Sequence, residues 1–227
     1  MICSRANAVR FFLCGLLFWL CGCQTAPYAV DEALLVNPRD PGIVSGSFEN
    51  GFRYFLRSTN SAERDDQIEV RLIVAAGSLD EHHGEEGYAH LLEHVVLRGT
   101  ESFPAARINA LVKKNGLVWG RDVNATTHYN ATVFRFSITE NERHLLPQIL
   151  SLYAEILDSA LIDNKAVEVE KKIVEAEWIY RFGHKAFLID PVAAVAFKNS
   201  AFEHHLPAGK PGPIRNATPK LLSLIHI

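Results

Sequence analysis

Cysteine is confined to the start of this 227-residue chain, at Cys3, Cys14, Cys21 and Cys23. The residues after position 23 therefore cannot form a disulfide, even in an oxidising compartment. Their stability must come from packing instead. With 48% hydrophobic and 22% charged residues, the chain has an ordinary globular composition, sufficient for one sizeable core.

The chain also lacks an excess of basic residues. It has 23 Lys and Arg against 26 Asp and Glu, which gives a net charge of −3, and no basic stripe is visible along it. Proteins that bind nucleic acid usually carry such a stripe or patch. We therefore expect no nucleic-acid partner.

The first 22 residues have the features of a bacterial lipoprotein signal peptide. Arg5 and Arg10 are basic, and residues 11–20 form an apolar run too short to span a bilayer. The following Leu20-Cys21-Gly22-Cys23 resembles a lipobox. The resemblance implies cleavage before Cys23, lipidation of that cysteine and anchoring in the bacterial cell envelope, facing the periplasm from the outer membrane. The alternative is a plain secretory signal cut near Ala26.

The rest of the chain divides into a tether at residues 23–44, rich in proline and without periodicity, and a domain at residues 45–227. Asn50-Gly51 between two alternating segments predicts a β-hairpin. Further strands are expected at 67–75, 123–129 and 131–138, and helices at 105–114, 142–159 and 164–182. Because strands and helices are segregated, we predict an α+β fold with an antiparallel sheet.

The run His90-Leu91-Leu92-Glu93-His94 is the strongest chemical signal in the chain. Residues three and four apart on a helix share one face, so both histidines can reach one ion with Glu93 beside them. This is the H-x-x-E-H arrangement of zinc peptidases, in which the histidines bind zinc and the glutamate is a base toward water. The apolar neighbours Leu91 and Leu92 predict that the helix is buried.

The predicted helix at 164–182 offers an anionic third ligand. Glu170 and Glu177 lie seven residues apart and share one face, but so do Glu168 and Glu175. Spacing alone leaves both pairs open.

The chain resembles the pitrilysin/insulinase family of zinc metallopeptidases over residues 45–220, and within that family the periplasmic bacterial zinc proteases. The His90–His94 motif and a Glu-x6-Glu pair some eighty residues later carry the resemblance. Further matches surround them. They are Asn50-Gly51 with Tyr54, Ala76-Gly77-Ser78 with Glu81, Gly87-Tyr88-Ala89, Arg98-Gly99-Thr100, Asn124-Ala125 with Thr127, Thr132-Val133-Phe134, and Glu177-Trp178.

The resemblance implies one zinc ion per chain, held by His90, His94 and Glu177, with Glu93 as the catalytic base. Glu170 would be a supporting acid beside the ligands, and Glu168 and Glu175 would be solvated. The family also presents the strand matching Asn124 and Ala125 as an edge that pairs with the substrate backbone.

The expected function is therefore a zinc-dependent endopeptidase that acts on peptides or unfolded proteins. The alternative is a non-catalytic partner subunit, or a module that only binds peptide or zinc. Family members continue into a second, similar half that helps to bind substrate, whereas this sequence stops at Ile227. We therefore expect a partner half or subunit, and at most weak activity from this chain alone.

Overall fold

The computed structural model describes residues 42–58 and 66–226. Cys23, the predicted signal peptide and most of the predicted tether lie outside these residues. The chain divides after Thr59 into two compact units. No helix among the described residues is long and apolar enough to cross a membrane.

The first unit contains the predicted hairpin. Strands β1 (Ile43–Ser47) and β2 (Arg53–Arg57) pair in antiparallel register. In the connection, Gly51 has φ +84°, a region that favours glycine, and Asn50 accepts a hydrogen bond from the Phe52 amide at 3.1 Å. The Asn-Gly signal is thereby confirmed as a turn.

The second unit is built on a three-stranded antiparallel sheet. Its strands are β3 (Gln67–Val74), β4 (Val123–Thr127) and β5 (Thr132–Thr139), in the order β3-β5-β4. Alternate side chains of β5 are buried, as expected when one face of a sheet covers a core. The order leaves β4 at one edge of the sheet. The predicted α+β class with an antiparallel sheet is confirmed.

Seven α-helices are described. They are α1 (Tyr88–Val96), α2 (Ala105–Lys114), α3 (Leu146–Asp158), α4 (Asn164–Phe182), α5 (Ala186–Ala196), α6 (Pro211–Asn216) and α7 (Pro219–His226). The predicted helix at 142–159 is instead a 3-10 segment, Glu140–Leu145, followed by α3. Pro147 lies in the first turn of α3, where its missing N–H costs no helical hydrogen bond, whereas inside a longer helix it would.

Helix α1 is packed between two groups of buried side chains. Val96 belongs to the group beneath the sheet, with Leu72 and Phe134. The second group joins α1 to α4, α6 and α7. Its members are Tyr88, Leu91, Val95, Val167, Val174, Ile214, Ala217 and Leu222. Full burial of each large apolar side chain stabilises the fold by roughly 1.5–3 kcal/mol, so α1 is held firmly on two sides.

The start of α1 is fixed by a buried carboxyl group and by a close backbone contact. Glu81 accepts hydrogen bonds from the amides of Gly87 and Ala89, the latter at 2.8 Å. Gly209 lies so close that an added Cβ would come within 2.1 Å of the Gly87 Cα. These contacts fix the first turn of α1, which carries His90.

Candidate metal centre

Helices α1 and α4 bring three potential metal ligands together. His90 and His94 lie one turn apart on α1, with ring centroids 5.0 Å apart. Glu177 on α4 places Oε2 3.8 Å from His90 Nε2 and 3.4 Å from His94 Nε2. One ligand atom from each residue lies within 4.8 Å of the other two.

The spacing of these atoms suits zinc. Ligand bonds of about 2.0–2.1 Å in a tetrahedral site place neighbouring ligand atoms about 3.3 Å apart, close to the distances found here. Two imidazoles and one carboxylate also form the usual three-ligand set that leaves a fourth position open.

Glu93 lies on the same helix beside the histidines and is buried. Its Oε2 accepts a hydrogen bond from the Thr127 hydroxyl of β4 at 2.6 Å. Burial raises the pKa of Glu93 above its ordinary value, and the hydrogen bond from Thr127 opposes this only in part. A carboxyl group with a raised pKa, held by one oxygen, is suited to taking up and returning a proton.

Glu170 lies about two turns before Glu177 on α4. It contacts His94 from the side opposite Glu177, at Nδ1. Its Oε2 lies 2.9 Å from His94 Nδ1, and its Oε1 accepts a hydrogen bond from Arg98 Nε. Burial alone would raise the pKa of Glu170, but the hydrogen bonds from His94 and Arg98 lower it below the ordinary value. Glu170 is therefore an ionised acceptor that leaves Nε2 of His94 facing Glu177.

The two histidines are in opposite electrostatic environments. Burial, together with the nearby His94, lowers the pKa of His90 to about 4, so its ring is neutral. Burial also opposes charge on His94, but its hydrogen bonds to Glu170 and Glu177 dominate and raise the pKa of His94 to about 9. The hydrogen bond with His94 lowers the pKa of Glu177 to about 2. Without metal, a proton on His94 thus joins the two carboxylates.

The other acids of α4 do not enter the centre. Glu168 is exposed and pairs with Lys171 at 2.7 Å. Glu175 is half-buried and pairs with Arg215 of α6, so it is a salt-bridge residue rather than a solvated acid. Of the alternatives that spacing left open, only Glu170 and Glu177 approach the histidines.

The predicted substrate residues lie beside the ligands. Asn124 and Ala125 of β4 line an open cavity of about 440 Å³, whose wall also includes His90, Glu93 and Glu177. Strand β4 is at the edge of the described sheet, so no further strand of that sheet lies on the side facing away from β5. At Val123 that side is bonded to the preceding turn, where the Gly120 amide donates to the Val123 carbonyl at 2.8 Å.

Several contributors to the site were not predicted from the sequence. Thr127, Arg98 and Glu81 belong to segments that support the family resemblance, but nothing in their spacing indicates which atoms they contact. Arg181 pairs with Oε1 of Glu177 at 2.6 Å, and its position four residues later on α4 was a usable signal. Trp178 donates a hydrogen bond to the Gly209 carbonyl at 3.1 Å, which ties α4 to the segment that crosses the start of α1.

The chain is similar to a family of known peptidases. The family model described as Insulinase (Peptidase family M16) matches residues 58–208. "Probable zinc protease PqqL" of Haemophilus influenzae is 31% identical over 83% of this chain, and that of Escherichia coli is 32% identical over 62%. The chain spans only 19% and 15% of these two relatives.

A solved structure shows the same fold. The crystal structure of the first half of the periplasmic protease PqqL from Escherichia coli has a TM-score of 0.75 and 27% identity. The match covers 82% of this chain and 40% of that one. The similarity thus lies within the first half of a larger protease.

Proposed function

Because this chain belongs to the insulinase family of peptidases, peptidase family M16, we propose that it carries the metal centre of a zinc-dependent endopeptidase acting on peptides or unfolded proteins. The observation that carries the proposal is the convergence of His90 Nε2, His94 Nε2 and Glu177 Oε2. His90, His94 and Glu177 would hold one zinc ion per chain, and Glu170 would support His94. When bound, zinc would act as a Lewis acid that polarises a peptide carbonyl and lowers the pKa of water.

The residues of the chain itself supply the proton transfers. Glu93 takes a proton from the attacking water and delivers it to the amine that leaves when the peptide bond breaks. The Thr127 hydroxyl holds Oε2 of Glu93, so Oε1 is the oxygen left to act. The raised pKa of Glu93 brings its proton affinity closer to that of its reaction partners, which favours both transfers.

We propose that substrate adds to β4 as a further strand. Asn124 and Ala125 would contact its backbone, since both lie on the edge strand and line the cavity beside Glu93. Binding through main-chain hydrogen bonds tolerates many sequences, which suits an enzyme for peptides or unfolded proteins. The rest of the substrate site would come from a second half or a partner subunit, because the chain spans less than a fifth of its matched relatives.

We also propose that the protein works in the periplasm, attached to the cell envelope through lipidated Cys23. The matched Escherichia coli structure is of a periplasmic protease, and the lipobox-like sequence ending at Cys23 supports the anchor.

The test is Glu93→Gln, made in the complete reading frame that contains these codons. Gln keeps the size of the side chain but cannot take a proton, so zinc content should stay near one per chain while hydrolysis of an unstructured fluorogenic peptide falls at least about 100-fold. Glu168→Gln is the matched control, since Glu168 is exposed on α4, and should retain both properties.

Ligand variants test the metal separately. His90→Ala, His94→Ala and Glu177→Ala should each lose most bound zinc, whereas Glu175→Ala should not. If the unaltered protein binds zinc but shows no hydrolysis that Glu93→Gln abolishes, the result favours the alternative, a non-catalytic subunit or binding module. Stoichiometric zinc in Glu177→Ala would refute the ligand set.

A further inference from the structure

Arg98 makes a polar contact that the proposed chemistry does not use. It lies four residues after His94, just beyond the end of α1, and its backbone amide donates to the Val95 carbonyl at 2.9 Å. Its Nε donates to Oε1 of Glu170, and its side chain is 38% exposed. Arg98 therefore reaches inward from the rim of the cavity to a carboxylate on the facing helix.

The carboxylate of Glu170 is shared between two donors. His94 Nδ1 contacts Oε2 at 2.9 Å while Arg98 contacts Oε1. Only 4% of Glu170 is exposed, so water can do little to satisfy either oxygen. A buried carboxylate that loses one of its partners is destabilised, and it can rotate toward the partner that remains.

We infer that Arg98 is a positioning residue of the metal centre: by holding Oε1 of Glu170 it keeps Oε2 as the acceptor for His94 Nδ1 and so aims His94 Nε2 at the ligand position. The inference rests on the proposed zinc site. It adds one residue to the series of contacts behind the metal ligand: His94 contacts Glu170, and Glu170 contacts Arg98.

The chemistry of arginine suits this task. Its guanidinium is planar and permanently charged, so the Nε–H donates in a defined direction and restrains Oε1 of Glu170 as well as balancing its charge. Lysine would supply the charge without that geometry. The orientation of a metal-bound imidazole depends on the acceptor of its other nitrogen, and loss of such outer contacts typically costs about 10–100-fold in metal affinity.

The experiment compares metal binding by purified full chains. Zinc affinity is measured by competition with a chromogenic chelator, and the geometry of the centre is read from the visible absorption of bound Co²⁺. Arg98→Gln should lower zinc affinity about 10–100-fold and change the Co²⁺ spectrum. The zinc affinity of Arg98→Lys should lie between that of Arg98→Gln and that of the unaltered chain. Arg143→Gln, which removes an exposed arginine paired with Glu140, should match the unaltered chain.

A double-mutant cycle separates positioning from general support of the fold. If Arg98 acts through Glu170, Arg98→Gln should have little further effect on zinc affinity in a Glu170→Gln background. If it only joins α1 to α4, the two losses should multiply and the spectrum of bound Co²⁺ should be unchanged, which overturns the inference. Unchanged zinc affinity in Arg98→Gln also overturns the inference. If Arg98→Gln fails to fold, unchanged zinc affinity in Arg98→Lys overturns it instead. Failure of the unaltered chain to bind zinc would instead refute the proposed function.

Discussion

Zinc binding near neutral pH should release about one proton, and that proton should come from His94. In the metal-free chain the hydrogen bonds to Glu170 and Glu177 raise the pKa of His94 to about 9, so this ring is charged at pH 7. A metal ligand must give up that proton. His90, with a pKa of about 4, and Glu177, with a pKa of about 2, are already deprotonated and contribute none.

The size of the pH effect on zinc affinity follows from the difference between the pH and the pKa of His94. At pH 7 only about 1% of the chains have His94 deprotonated, so apparent zinc affinity should be about 100-fold below its high-pH limit. Affinity should rise about tenfold per pH unit from pH 6 to 8 and level off above about pH 9. Two histidines with an ordinary pKa near 6.5 would instead level off before pH 8.

Isothermal titration calorimetry in buffers with different ionisation enthalpies counts the released protons. We expect about one at pH 7 for the unaltered chain and fewer for Glu170→Gln, because losing one carboxylate partner lowers the pKa of His94. The metal-free chain has a related signature. The raised pKa of His94 contributes stability that is complete below pH 6.5 and is lost as pH rises through about 9. A count near zero at pH 7 would refute this account of His94.

Two further predictions address the fold and the anchor. Glu81→Ala removes the acceptor of the Gly87 and Ala89 amides and should lower the free energy of unfolding by about 1–3 kcal/mol in urea titrations, whereas Glu168→Ala should change it little; equal stability would contradict the role given to Glu81. Cys23→Ser should shift the protein out of the membrane fraction or leave it uncleaved, and a mature N-terminus near Pro27 in the unaltered protein would refute the lipid anchor.

Local patterns predicted much of the fold. Helix α4 occupies the predicted residues because its start has a local cause, the Asp163 side chain accepting from the Ala166 amide at 2.7 Å. The hairpin and the sheet strands likewise follow from alternation and turn residues. The contact of Gly209 with Gly87 was not predictable, since it joins segments more than a hundred residues apart. The hydrogen bond from Thr127 to Glu93 was not predictable either, because it depends on how β4 packs against α1 and not on a local pattern.

The choice of Glu177 over Glu170 as a ligand shows where spacing stops being informative. Both acids lie on one face of α4, so the sequence alone cannot tell which one reaches the histidines' Nε2 atoms. The structure distinguishes them by the direction of the helices: the earlier Glu170 meets His94 and Arg98 at the end of α1, and the later Glu177 meets His90 and His94. Helices α1 and α4 are thus antiparallel. With parallel helices the same seven-residue spacing would bring Glu177, not Glu170, toward Arg98. Helix direction therefore decides which carboxylate lies near both Nε2 atoms, where we propose a ligand, and which contacts His94 Nδ1.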